Sequence, residues 1–165
     1  MGVSVLSSEK YLYEHLYKEF CQISNVPDEE YLRSILYAWM NDKENSGHRF
    51  DVIKKYFPNA KRILDMSAGC GTFVFYGLIN GYDVDGIEPE EWKLNFNKLK
   101  AVEKNYPLEW LKKISKGYGE SLPYRDKCFD VVSTYQTLEH VQNVELCLAE
   151  LLRVTKMGGG THTMP

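Results

Sequence analysis

RILDMSAGCGT, residues 62–72, decides how this chain folds. Ile63 and Leu64 make a short apolar strand, and Asp65 stands at its end. Ser67, Gly69 and Gly71 follow at every second position before Phe73, Val74, Phe75 and Leu78 begin a helical pattern. Strand, small-residue turn and helix in that order form a nucleotide-type binding corner. Glycine lets backbone approach a ligand where a Cβ would collide, and the first turn of the helix offers unpaired N–H groups. A second apolar strand, in which Val84 and Ile87 flank Gly86, delivers Glu88 at its carboxyl end. A carboxylate at that point accepts hydrogen bonds from the 2′- and 3′-hydroxyls of a ribose.

Two cofactor classes use such a corner. A dinucleotide needs G-x-G-x-x-G, with the third glycine for close helix packing and room for a pyrophosphate. Here the third position is Val74, and Asp65 just ahead of the glycines repels pyrophosphate. The same carboxylate suits a ligand that carries an ammonium group and a ribose but no phosphate. S-adenosylmethionine (SAM) is such a ligand.

Five segments in order carry a family resemblance. ILDMSAGCGTF (63–73) resembles the first motif of class I SAM-dependent methyltransferases, usually D-x-G-x-G-x-G, with Ser67 in place of the first glycine. GYDVDGIEP (81–89) is similar to the second motif, and GESLPYRDKCFDVV (119–132) to the common A-E-x-L-P-F-x-D-x-x-F-D-V-V. STYQTLEHV (133–141) resembles the segment that often reads L-E-H-V, and ELLRVTKMGGG (150–160) the helix and glycine turn written L-x-R-V-L-K-P-G-G. Each segment alone is weak, and their order from Arg62 to Pro165 makes the joint signal strong. The nearest flavour is the small-molecule subgroup that includes the ubiquinone and menaquinone biosynthesis enzymes.

The resemblance implies SAM as cofactor and assigns its contacts. Asp65, Ser67, Ala68, Gly69 and Gly71 face the methionine portion and ribose, with Asp65 holding the ammonium directly or through water. Ser67 either crowds the ligand or donates to it. Glu88 and Pro89 take the ribose side. Gly119 and Glu120 meet adenine, beside Tyr118 where many relatives have an aspartate; Glu120 either reaches that edge or caps the turn at Leu122 and Pro123. Thr134 and Tyr135, with Gln136, face the methionine end and the acceptor. His140 is the candidate general base, because imidazole titrates near neutral pH, and a structural role stands beside it. Relatives that read E-x-x-E-H here can use a metal; this chain has Gln136, Glu139 and His140, one carboxylate fewer, and no metal is assigned. His15, His48 and His162 show no partners in the sequence.

Around this core the pattern reads as α/β: a Rossmann-like parallel sheet with helices on both faces and a helical amino-terminal cap. Residues 1–60 form the cap and 61–165 the SAM-binding core of a single compact domain. In the cap, Leu12, Leu16 and Phe20 mark one helix, and Leu32, Ile35, Leu36 and Trp39 a second opened by Pro27 and Asp28. A third carries Phe50, Ile53 and Phe57, with NDKENSG (41–47) read as a polar loop before it. Tyr11, Tyr13 and Tyr17 either line a substrate pocket or fill half-buried surface. The core is read as strand 62–66, helix 72–80, strand 83–88, helix 90–104, a strand near 113–116, strand 129–134, helix 144–155 and a last strand near 161–164. Such alternation makes a parallel sheet.

Composition sets the bounds. The 165 residues suit one domain, and 44% hydrophobic content fills a sizeable core. A net charge of −3 offers no broad basic surface, so nucleic acid is not an expected partner. Cys21, Cys70, Cys128 and Cys147 show no metal-ligand spacing and are read as reduced thiols of a cytoplasmic protein. No apolar stretch approaches the roughly 20 residues of a membrane span. The antiparallel strands that usually complete a seven-stranded sheet are missing, so the chain reads as truncated after the fifth strand, trimmed, or completed by self-association. A homodimer through the uncovered edge is the expected consequence. The expected function is SAM-dependent methylation of a small-molecule acceptor. A SAM-binding or degenerate domain without turnover is the alternative, and a nicotinamide dehydrogenase a distant third.

Overall fold

A computed structural model describes residues 7–23 and 27–164; Pro165, where the sequence pattern ends, lies outside them. Three helices come first: α1 (Ser8–Ile23), α2 (Glu29–Met40) and α3 (Asp42–Tyr56). The Asp28 side chain caps α2 by accepting from the N–H groups of Glu30 and Tyr31. Then β1 (Arg62–Met66), α4 (Thr72–Ile79), β2 (Asp83–Glu88), α5 (Glu91–Glu103), a 3₁₀ turn (Leu108–Lys113), β3 (Ile114–Lys116), β4 (Phe129–Tyr135), α6 (Val144–Val154) and β5 (Thr155–Met164) alternate.

The five strands form one wholly parallel sheet in the order β3-β2-β1-β4-β5. β1 lies at its centre, and strand order reverses there, which places a ligand crevice outside the carboxyl ends of β1, β2 and β4. On one face α3, α4 and α5 bury Phe50, Ile53, Phe73, Val74, Phe75 and Ala101 against Ile63, Val84, Ile114 and Val131. On the other, Cys147, Leu151 and Val154 of α6 cover Leu64, Met66, Ile87 and Val132. Helices α1 and α2 share a third cluster, Leu12, Leu16, Leu32 and Leu36, with Phe96 of α5 and Cys70 of the glycine turn.

Two sequence expectations need correction. Residues 41–47 are not a loop, because α3 begins at Asp42. Its first turns turn polar groups inward: Lys100 of α5, fully buried, pairs with Asp42 and donates to the Trp39 carbonyl at 2.9 Å, while Tyr106 Oη donates to the other Asp42 oxygen at 2.6 Å. The second concerns the glycine turn at 158–160. Strand β5 already starts at Thr155 and runs through these glycines, with a bulge where Phe129 faces Thr155 but Val131 faces Gly160. A Cβ on Gly160 would sit 2.0 Å from the Phe57 ring, so the glycine is what lets α3's end close on the sheet.

Candidate active site

The turn between β1 and α4 is tightly wound. Ser67, Gly69 and Gly71 all have positive φ (69°, 53° and 70°), and a Cβ on Gly71 would lie 2.8 Å from Asn97 Oδ1. Ser67 therefore holds a conformation that disfavours any residue with a Cβ. Glu88, at the end of β2, is buried beside this turn. One of its oxygens accepts from Gly69 N at 2.7 Å and the other from Glu90 N at 2.9 Å. Burial raises its pKa, against the pull of Lys93 and those two N–H groups. Each oxygen keeps a lone pair for a ligand hydroxyl.

Two cavities meet at this corner. The larger, 340 Å³, runs from Glu88 and Lys93 past Gly69 and Ser67 to Asp65, Arg49 and Tyr135 under α2. The smaller, 160 Å³, lies between Pro89 and Gly119–Glu120, with His140 on its rim. Ser67 lines both. The site is thus two connected lobes, one polar and one flatter and more apolar.

The structure brings Asp65, Ser67, Ala68, Gly69 and Glu88 together in the larger lobe with Tyr135, and Pro89, Gly119 and Glu120 in the smaller. Gly71 caps α4 behind the turn. Thr134 is buried, and its hydroxyl has no hydrogen-bond partner. Glu120 does not cap the Leu122 turn: Leu122 N donates to Glu150, while Glu120 accepts from Gln142 N at 2.8 Å and Asn143 N at 3.3 Å. His140 is exposed on the smaller lobe, separated by Ser67 from Tyr135. Tyr11, Tyr13 and Tyr17 line neither lobe; Tyr11 packs on His15, and Tyr13 stacks on Tyr17.

The residue that sequence reading missed is Arg49. Helix α3 drives it under the cap, where one guanidinium nitrogen donates to Asp65 Oδ1 at 2.6 Å and to Ser133 Oγ at 2.7 Å, with the guanidinium carbon 4.0 Å from the Phe73 ring centre. Burial pushes the Asp65 carboxyl up to about 6, and Arg49 opposes the rise. Asp65 is therefore matched by a cation of the chain itself.

A family model described as a methyltransferase domain matches residues 64–161. The chain belongs to the class I SAM-dependent methyltransferases. Over 132 residues it is 35% identical to an uncharacterized methyltransferase of Schizosaccharomyces pombe, covering 74% of this chain and 45% of that protein. A demethylmenaquinone methyltransferase of Streptomyces avermitilis is 36% identical over 101 residues, 61% of this chain and 40% of its own length. The chain thus spans less than half the length of these curated relatives. A solved structure of a Pyrococcus horikoshii protein shares the fold, with a TM-score of 0.61 at 22% identity over 89% of this chain and 58% of that one. Among the described residues no helix is long and apolar enough to cross a membrane.

Proposed function

We propose that this chain binds SAM across the two lobes and transfers its methyl group to a small-molecule acceptor. The observation that carries the reading is the junction of the lobes at Ser67, with Glu88 beside it. Adenine occupies the smaller lobe between Pro89 and Gly119–Glu120, and the ribose hydroxyls donate to Glu88. The methionine portion follows the larger lobe toward Asp65 and Tyr135. The sulfonium already makes the methyl electrophilic, so the protein's main tasks are orientation and exclusion of water. The roof formed by Ile35, Ala38 and Trp39 of α2 supplies that exclusion. Three buried thiols, none in a disulfide, fit a reducing, cytoplasmic setting.

Calorimetric titration with S-adenosylhomocysteine, with NAD in parallel, tests the cofactor half. Micromolar binding of the first and none of the second is expected. Glu88→Ala should weaken it by about 1–3 kcal/mol through lost charge-assisted hydrogen bonds. Unchanged affinity in the variant would remove Glu88 from the ribose site. Turnover on an acceptor then separates an enzyme from a binding module.

A further inference from the structure

A row of polar side chains crosses three neighbouring strands beneath α3. Asp65 of β1 stands beside Ser133 of β4, and Ser133 beside His162 of β5. Arg49 lies over the row and donates to both Asp65 and Ser133. Because Ser133 Oγ accepts from Arg49, its own hydrogen is free to point at Nδ1 of His162, a long contact of 3.4 Å. That arrangement leaves the ring's N–H on Nε2. Two residues along β4, Tyr135 meets the His48 ring edge-on, with centroids 6.3 Å apart.

This end of the larger lobe is rich in donors and poor in free acceptors of charge. Of the two carboxylates lining the lobe, Glu88 sits at the far end and Asp65 is spent on Arg49. The Arg49 Nε–H is buried without a hydrogen-bond partner. Burial, and then Arg49 and His48, hold His162 below the usual histidine pKa, so near neutral pH it presents a neutral ring that donates from Nε2. A protonated amine would find no unpaired anion here. A carboxylate would find an N–H on His162, the ring of His48 and the guanidinium of Arg49 behind them.

We propose that this β4–β5 end binds the carboxylate of the methyl acceptor through His162 and His48, backed by the guanidinium of Arg49. The inference rests on the SAM reading above, and it names the acceptor as an organic acid rather than an amine.

The test uses the full chain saturated with S-adenosylhomocysteine, so that the cofactor's own carboxylate is already in place. Benzoate, 4-hydroxybenzoate and cinnamate are titrated against benzylamine and tyramine while the histidine ring resonances are followed by NMR. The acids should bind saturably and move the His162 and His48 signals, and the amines should not. His162→Phe should weaken acid binding about tenfold, since a hydrogen bond to a charged group is worth about 1.5 kcal/mol or more. His162→Gln, which restores an N–H, should recover most of it. Preference for the amines, no binding of either class, or acid binding indifferent to both variants overturns the proposal. Failure of S-adenosylhomocysteine itself to bind would instead refute the SAM reading, so the two failures are distinguishable.

Discussion

Replacing Arg49 by methionine keeps most of the side chain's bulk and removes the cation that faces Asp65. The carboxylate is 2% exposed, so it cannot gain water in exchange. Its way out is protonation. At pH 7 that costs about 4 kcal/mol for a carboxyl of ordinary pKa, at about 1.36 kcal/mol per pH unit, and about 1.5 kcal/mol at pH 5. The loss at neutral pH agrees with the roughly 3–5 kcal/mol seen when one partner of a buried ion pair is removed. For a chain of this size it corresponds to a fall of about 6–20 °C in Tm. The sign of the pH dependence is fixed. A carboxyl whose folded pKa lies above its unfolded value favours the folded state at low pH and loses that contribution as pH rises. Arg49→Met should therefore recover stability relative to wild type between pH 7 and pH 5. Thermal and urea unfolding of the wild type, Arg49→Met and Arg49→Met with Asp65→Asn would measure this, and the double variant should regain most of the neutral-pH loss. A penalty below about 1 kcal/mol that does not vary with pH would refute the claim that Asp65 depends on Arg49.

Ser67→Gly should stabilise the fold by about 0.5–1 kcal/mol by releasing a left-handed conformation, with S-adenosylhomocysteine affinity kept; a loss of affinity would show that the hydroxyl holds the ligand. Asp130 accepts from the Lys61 and Arg62 N–H groups at 2.9 Å each and from Lys156. Although partial burial opposes it, these contacts draw its carboxyl down to about 2, so its contribution is present above its unfolded pKa and fades as pH falls toward 2. Asp130→Asn should cost about 1 kcal/mol at pH 7 by urea unfolding, with the difference closing in acid; a constant difference would count against the assignment.

The sheet was readable because its signals are apolar. Runs such as Ile63–Leu64 and Val131–Val132 alternate with amphipathic helices, and the corner at 65–71 is marked by residues chosen for small size. What hid was burial of polar groups. Asp42, Ser46, Arg49, Phe50 and Ile53 are the buried residues of α3, and they follow the helical spacing i, i+4, i+7, i+8 and i+11. A search for apolar periodicity sees only the last two, so the first turns read as loop, and Arg49 disappeared with them. Their partners, Lys100, Tyr106 and Asp65, come from three other elements, and only the fold brings them close. The glycines of β5 misled for a related reason: Gly160 is needed by a ring 103 residues earlier in the chain, Phe57, not by a turn. Of the site, the glycine turn and the strand-end carboxylate were legible because each answers to a local backbone demand. The histidine end was not, since His48 and His162 meet only where a helix crosses two strands.

The burial of Lys100 has a consequence for how a ligand gets in. Its ammonium touches Asp42, the Trp39 carbonyl and, at 3.4 Å, the carbonyl of Cys70 in the glycine turn, so the junction of α2 with α3, helix α5 and the cofactor corner share one charge. Swinging the helices away as a rigid flap would strand that charge and its partner in a dry interface. Traffic is better served by the free flank of α2, whose side chains roof the lobe while its neighbours stay clamped. Residue 60 is then a change of chain architecture rather than a hinge, and the helices before it act as a fixed wall with one loose shingle.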